Sequence, residues 1–138
     1  FDETKISKKD IKKFGLIWVQ GGNVFVLRRA YEQSGFYVCL KAMLRDDLVV
    51  YGGESAGAVV LGNTFEGLDL VDDVYTVPEG YKGDCIRRGL GLIDYTIVPH
   101  YKSDNSEESS RIDILEEFLR NKKLPYKTLR DGEVVIYP

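Results

Sequence analysis

A serine flanked by glycines is the first feature of this sequence that could do chemistry. The segment Gly53-Glu54-Ser55-Ala56-Gly57 follows the pattern G-x-S-x-G, in which a sharp turn between a strand and a helix projects the serine oxygen above the edge of a sheet. The glycines are needed because side chains would clash in so tight a turn. The pattern predicts a nucleophilic serine at Ser55, with the backbone N–H of Ala56 placed to bind an oxyanion.

A nucleophilic serine needs a base, and His100 is the only histidine of the chain. It follows the apolar run Tyr95-Thr96-Ile97-Val98 and stands 45 positions after Ser55. The carboxyl end of a parallel strand is where α/β sheets place their sites. We therefore expect His100 to be the general base, the plainer alternative being a histidine that only caps a strand.

A carboxylate normally completes such a pair by holding the imidazole in the correct tautomer. Several aspartates lie between the serine and the histidine, namely Asp69, Asp72, Asp73, Asp84 and Asp94. Spacing does not choose among them, and any one of them is compatible with a solvated loop charge.

A second glycine turn, Gly21-Gly22-Asn23, follows the apolar run Leu16–Val19. At the carboxyl end of a neighbouring strand, its backbone could donate a second N–H to the oxyanion. Asn23 is also a good N-cap residue. A simple entry into a helix therefore explains this turn equally well.

The elements that would position these residues follow one repeated order: buried strand, glycine turn, helix. Apolar runs and periodicity predict strands at Leu16–Val19, Leu48–Tyr51 and Thr96–Val98, and helices at Val24–Tyr31, Phe36–Arg45 and Ala58–Leu61. Repeated strand–helix units imply parallel strands joined by crossover helices. We predict a three-layer α/β/α fold with a mostly parallel sheet whose strands are buried on both faces.

The remaining segments have weaker patterns. Ser7–Phe14 is predicted to be a short basic surface helix, and Gly62–Gly89 an acidic, turn-rich excursion. A further amphipathic helix follows Lys102–Ser110. Tyr126–Leu129 and Val134–Tyr137 flank Asp131-Gly132, and this dipeptide predicts a C-terminal antiparallel hairpin.

Composition limits the classes of function. A chain of 138 residues fits one domain spanning residues 1–138. A net charge of −3 and a pI near 5.2 argue against nucleic acid as a partner. We expect no membrane span and no signal peptide. Cys39 and Cys85 are expected to be reduced thiols in the cytoplasm, and neither a metal nor another cofactor is expected.

Three motifs, IWVQGGNVFVLRRA, YGGESAGAVVL and IVPHYKSD, together resemble peptidase family S51, the dipeptidase E and cyanophycinase group. The resemblance covers essentially the whole chain, with the motifs in the family's order. It implies a flavodoxin-like fold similar to class I glutamine amidotransferases, with serine in place of their cysteine. It also implies a serine peptidase acting on short, acidic (aspartyl) peptides. Family members carry a further N-terminal βαβ region, which we expect to be missing here, and a homodimer is a further expectation.

The resemblance also assigns roles to residues. It makes Ser55 the nucleophile and His100 the base, with the amides of Gly22 and Ala56 as the oxyanion hole. Its acidic residue follows the serine closely, which favours Asp69, with Asp72 as the fallback. Asn23 and Arg111 would contact the substrate.

Two other readings remain open. An esterase-type α/β-hydrolase also uses G-x-S-x-G, but the 45 positions between Ser55 and His100 are few for its usual intervening elements, and an HGGG-type segment is missing. A non-catalytic α/β binding module, or an inactive homologue, would leave both residues with structural roles. Covalent labelling by a fluorophosphonate distinguishes this last reading from either enzyme.

Overall fold

The structure is a computed structural model that describes residues 8–137, with the side chains of residues 8, 106 and 107 left out. Helices and strands alternate through most of the chain. Their order is α1 (Lys8–Ile11), β1 (Leu16–Val19), α2 (Val24–Gln33), α3 (Phe36–Arg45), β2 (Val50–Gly53), α4 (Ala56–Val59), a 3₁₀ turn (Leu68–Leu70), β3 (Thr96–Val98), α5 (Ser106–Asn121) and β4 (Tyr126–Thr128).

The strands form two parallel pairs. In the first pair Leu16 of β1 lies opposite Val50 of β2, and Val19 opposite Gly53. In the second pair Thr96 of β3 lies opposite Tyr126 of β4. Helices connect the strands of each pair, as parallel pairing requires. The predicted α/β class with parallel strands is confirmed.

Element boundaries agree closely with the sequence pattern at β1 and α3 and shift at β2. The expected strand Leu48–Tyr51 begins instead at Val50, because the Leu48 N–H donates to the Met43 carbonyl and completes the exit from α3. The Val50 N–H, donating to the carbonyl of Gly15, starts the ladder with β1. This shift carries β2 two residues closer to Ser55.

The C-terminal hairpin was predicted wrongly. Asp131-Gly132 does lie in a tight turn, closed by the Glu133 N–H donating to the Arg130 carbonyl at 3.0 Å. The preceding segment, however, pairs in parallel with β3 and continues through the Leu129 N–H to the Val98 carbonyl. Within the described residues, 134–137 form no strand. The Asp-Gly dipeptide determines a local reversal of the chain, but it does not determine which strand pairs with the segment before it.

Burial on both faces holds for β3 and fails for β1 and β2. The residues of β3 are at most 3% exposed. By contrast, Leu16 of β1 is 56% exposed, Trp18 is 59% exposed and Val50 of β2 is 64% exposed. Only the opposite face of this pair, carrying Ile17 and Val19, packs against the core. Apolar runs therefore overstated the burial of the first pair.

The main core lies between α2, α4, α5 and β3. Its fully buried side chains include Phe25, Val60, Phe65, Leu115 and Leu119. Phe25 and Phe65 contact edge to face, with ring centroids 5.5 Å apart. None of the helices in the described part of the chain has the length and apolar character to cross a bilayer.

Two buried arginines of α2 attach the long excursion to this core. The Arg29 guanidinium, 1% exposed, donates to the carbonyls of Thr76 and Asp84 at 3.0 and 3.1 Å. Arg28, 3% exposed, donates to the Arg88 carbonyl at 3.2 Å and to the Glu32 carboxylate. A buried charge is tolerated when its donors are satisfied in this way. The excursion that follows Ser55 is thus held by guanidinium–carbonyl hydrogen bonds.

Gly57 allows α4 to lie directly against the end of β1, and it should be intolerant of any side chain. A Cβ atom there would lie 2.2 Å from the Val19 carbonyl oxygen, which is backbone. We expect Gly57→Ala to lower the free energy of unfolding by about 1–3 kcal/mol through overpacking. The matched control is Gly15→Ala, because a Cβ at Gly15 meets nothing within 4 Å. Equal urea midpoints for the two variants would contradict the close approach.

Candidate functional site

Ser55 stands in the short turn between β2 and α4 and has a strained backbone. Its φ of 49° and ψ of −122° lie outside the regions that non-glycine residues usually occupy, at a cost of about 1–3 kcal/mol. Such strain is typical of the sharp turn that the G-x-S-x-G pattern predicts. The preceding glycine is equally constrained, because a Cβ at Gly53 would lie 2.3 Å from the Gly57 carbonyl oxygen.

The Gly21-Gly22-Asn23 turn lies beside Ser55. Pairing of Val19 with Gly53 brings the two turns to the same edge of the sheet. A Cβ at Gly21 would lie 3.4 Å from Ser55 Oγ, and Gly22 has a φ of 135°, which favours glycine. In the described residues, no acceptor within the chain receives a hydrogen bond from the N–H of Gly22 or Ala56. Both donors remain available to a ligand.

A cavity of about 290 Å³ joins most of the predicted residues. Six of the residues that line it were singled out from the sequence, namely Gly22, Ser55, Ala56, Asp72, His100 and Arg111. Glu108 also lines this cavity and was not predicted. A larger depression of about 460 Å³ lies elsewhere and contains neither the serine nor the histidine.

His100 is the residue that follows β3 and Pro99, and it too has a left-handed backbone, with a φ of 56°. Its Nδ1 lies 2.7 Å from Asp131 Oδ1, and its Nε2 lies 3.9 Å from Glu108 Oε1. Within the described residues, no hydrogen bond joins the imidazole to Ser55. The imidazole therefore lies between two carboxylates in the cavity that Ser55 also lines.

Asp131 is not among the predicted acids, which all lie between the serine and the histidine in the chain. Asp131 lies 31 positions beyond His100, in the Asp-Gly dipeptide that was read only as a turn signal. Parallel pairing of β4 with β3 is what brings it back to the histidine. Long-range pairing of this kind leaves no local sequence signal.

Asp69, the favoured acid, is not brought to His100. It lies in the 3₁₀ turn, and its Oδ2 is 3.3 Å from Arg87 Nη1 in the larger depression. The side chains of both partners are exposed, at 40% and 55%. The excursion turns this carboxylate away from the cavity, so the geometry favours Asp131 as the imidazole's partner.

Asn23 has the role of a helix cap. Its Oδ1 accepts hydrogen bonds from the N–H groups of Phe25 and Val26, at 2.9 and 3.0 Å. Its Nδ2 donates to the Asp73 carbonyl at 2.8 Å. Both ends of the amide are therefore engaged within the protein. The structure supports the capping reading of this residue, whereas its predicted contact with a substrate stays a prediction.

Asp72 lies in the cavity wall and accepts a hydrogen bond from the Val24 N–H at 2.7 Å. Burial raises the pKa of this carboxyl group, and the Val24 N–H and the nearby Arg111 oppose that rise in part. Arg111 projects from α5 and donates to the Val71 carbonyl at 3.5 Å. The cavity is thus lined by the Arg111 guanidinium, which lies near the Asp72 carboxyl group, and by the carboxylate of Glu108.

The described residues contain no group of three or more His, Cys, Asp or Glu side chains able to hold a metal ion. The chemistry available in the cavity is that of a hydroxyl, an imidazole, backbone N–H donors and charged side chains. This set suits nucleophilic attack on a carbonyl group.

Comparisons with known proteins identify a family and a solved structure of similar fold. The model of peptidase family S51 matches residues 2–137. Among solved structures, the chain is similar to the 1.5 Å crystal structure of the "Putative Peptidase E Protein" from Listeria monocytogenes EGD-e, with a TM-score of 0.69 and 21% identity. That match covers 90% of this chain and 55% of the Listeria chain, so this chain spans about half the length of the structure it resembles. No protein with a curated function matches it.

The raised pKa of Asp72 predicts a pH-dependent effect of Asp72→Asn on stability. Because the neutral acid is favoured in the folded state, the wild-type carboxyl group contributes stability that is complete below its ordinary pKa of 3.8 and is lost as pH rises through the raised value. Asparagine stays neutral throughout. We therefore expect the variant's free energy of unfolding, relative to wild type, to be higher at pH 7 than near pH 3. Urea unfolding across this range measures it.

The matched control is Asp94→Asn, which removes one negative charge from an exposed loop residue outside the cavity. If the free energy of unfolding of Asp72→Asn, relative to wild type, decreases as the pH rises from 3 to 7, the desolvation of this carboxylate is contradicted.

Proposed function

Because the chain belongs to peptidase family S51, we propose that it is a serine peptidase in which Ser55 is the nucleophile and His100 the general base. One observation carries the proposal. A serine with a strained backbone, at the entrance to a helix, shares a cavity with the only histidine and with two available backbone N–H donors. Together these groups supply a nucleophile elbow, a base and an oxyanion hole.

In the proposed reaction, Ser55 Oγ attacks the carbonyl carbon of the scissile peptide bond while His100 Nε2 takes the hydroxyl proton. The N–H groups of Gly22 and Ala56 bind the developing oxyanion. The imidazolium then gives its proton to the departing amine as the C–N bond breaks. Water, deprotonated by the same imidazole, hydrolyses the acyl–serine ester and regenerates the hydroxyl.

Asp131 is the acid that we assign to this triad, in place of Asp69. A neutral His100 donating its Nδ1–H to Asp131, 2.7 Å away, leaves the lone pair on Nε2 to act as the base. During attack, Nε2 must lie within about 2.6–3.2 Å of Ser55 Oγ, and such hydrogen bonds are often formed only once substrate is bound. We therefore expect the hydrogen bond between Ser55 Oγ and His100 Nε2 to form when the substrate binds.

The proposed substrates are short peptides with an acidic residue. A cavity of about 290 Å³ accommodates a ligand of roughly dipeptide size. Its one guanidinium, Arg111, would bind a substrate carboxylate, and the carboxylate of Glu108 would attract an ammonium group. This combination suits a small peptide that carries both charges.

The cellular setting is also a proposal. Cys39 and Cys85 form no disulfide, which is consistent with a reducing compartment such as the cytoplasm. Homodimer formation stays a prediction.

Replacement of either Ser55 or His100 should abolish peptide hydrolysis. We expect Ser55→Ala and His100→Ala each to lower kcat for an aspartyl dipeptide by roughly 10⁴-fold or more, because triad members act as a unit. A fluorophosphonate should label the wild-type chain at Ser55, as found by mass spectrometry, and should fail to label Ser55→Ala. Circular dichroism checks that both variants fold. An unlabelled, inactive wild-type chain would favour the non-catalytic module.

The same assay decides between the two acids. Asp131→Asn should lower kcat strongly, whereas Asp69→Asn should have the smaller effect because its partner is Arg87. If Asp69→Asn lowers kcat more than Asp131→Asn does, Asp69 is the acid of the triad.

Arg111 should decide the preference for acidic substrates. A charge-assisted hydrogen bond contributes about 1.5–3 kcal/mol. Arg111→Met should therefore lower kcat/KM for an aspartyl dipeptide about 10–100-fold more than for the matching leucyl dipeptide. Arg120→Met is the control, because Arg120 lies on the same helix, pairs with Glu116 and does not line the cavity. An equal loss for both substrates would exclude recognition of the acidic side chain by Arg111.

A further inference from the structure

The segment Val71–Asp73 is attached to the Gly21-Gly22-Asn23 turn by two hydrogen bonds. The Val24 N–H donates to Asp72 Oδ2 at 2.7 Å, and Asn23 Nδ2 donates to the Asp73 carbonyl at 2.8 Å. The donors and acceptors are about 50 positions apart in the chain. These bonds therefore join the acidic excursion to the turn beside Ser55.

Of these two hydrogen bonds, the one from the Val24 N–H has no alternative acceptor in the helix or its cap. The first N–H groups of a helix have no partner within the helix. Asn23 Oδ1 already accepts from Phe25 and Val26, so Val24 depends on the Asp72 carboxylate. Val24 is 1% exposed, and water would not readily substitute. A carboxylate at this position is also favoured by the helix dipole.

Gly22 has little else to hold it in place. Gly22 is exposed, and a Cβ there would meet nothing within 4 Å, so no neighbouring group packs on that side of the residue. Its position depends on β1 on one side and on the attachments of Asn23 and Val24 on the other. Because Gly21 lies against Ser55, the attachment through Asp72 sets where the Gly22 N–H points relative to the serine.

We infer that Asp72 is a positioning residue, whose carboxylate holds the Gly21-Gly22-Asn23 turn beside Ser55 by accepting the hydrogen bond of the Val24 N–H. The inference rests on the proposed function, because it assigns the Gly22 N–H to the oxyanion. It gives Asp72 a role separate from proton transfer, which Asp131 assists through His100. It also gives a structural role to a carboxyl group whose pKa is raised by burial in the cavity wall.

Three variants of the full chain test this role. Asp72→Ala removes the acceptor, Asp72→Asn keeps an acceptor oxygen without the charge, and Asp94→Ala is an exposed control outside the cavity. We expect Asp72→Ala to lower kcat about 10–100-fold, below the 10²–10³-fold cost of losing an oxyanion donor outright, with KM changed little. Asp72→Asn should retain most of kcat.

Two further measurements separate positioning from a general loss of structure. Affinity for a peptide boronate, which forms a tetrahedral adduct with the serine, should fall in Asp72→Ala in parallel with kcat, while affinity for the peptide product stays nearly constant. Backbone amide exchange should speed up at residues 22–26 in Asp72→Ala and remain unchanged in Asp94→Ala.

Each alternative result overturns the inference in a recognisable way. An unchanged kcat in Asp72→Ala removes the positioning role. Equal losses in Asp72→Ala and Asp72→Asn assign the effect to the charge. A raised KM with constant kcat makes Asp72 a substrate contact. If the wild-type chain neither hydrolyses peptides nor reacts with a fluorophosphonate, the proposed function fails, and amide exchange alone decides whether Asp72 holds the turn.

Discussion

The close approach of α4 to the end of β1 is the contact on which the rest of the site depends. Gly57 lies so near the Val19 carbonyl that any side chain would separate the two elements. This contact, together with the pairing of β1 and β2, determines the sharp turn in which Ser55 takes its strained conformation. A local strain of about 1–3 kcal/mol persists only where surrounding structure over-determines it. Here backbone-to-backbone contacts provide that constraint.

The same pairing explains why two glycine turns, far apart in the chain, lie together. Parallel strands end at the same edge of a sheet, so the turn after β1 and the turn after β2 become neighbours. The turn after β1 is then held from the other side by the acidic excursion, through Asp72 and Asp73. The excursion is itself attached to α2 by the buried guanidinium of Arg29. Helix α2 therefore supports the site from both its N-terminus and its buried face.

The pairing of β3 with β4 positions His100, just as the pairing of β1 with β2 positions Ser55. Hydrogen bonds from the Leu129 N–H to Val98 and from the Tyr101 N–H to Leu129 run on both sides of His100. They carry the segment after β4 alongside the segment after β3, and Asp131 thereby reaches the imidazole. The left-handed backbone of His100 is a second strained position in the same cavity. Both chemistry-bearing side chains are thus presented by turns at strand ends.

The sequence by itself determined the class of fold and the positions of β1, α2, α3 and β3. It also singled out Ser55 and His100 as the candidates for nucleophile and base. These inferences rest on local signals, namely apolar periodicity, glycine at a sharp turn and a single histidine. Only the tertiary structure decided which carboxylate faces His100, that Asp72 binds the start of α2, and which strand faces are covered. Each of those depends on pairing between segments tens of residues apart. Such pairing is selected by the packing of the whole chain, so neither the spacing of aspartates nor an Asp-Gly dipeptide could reveal it.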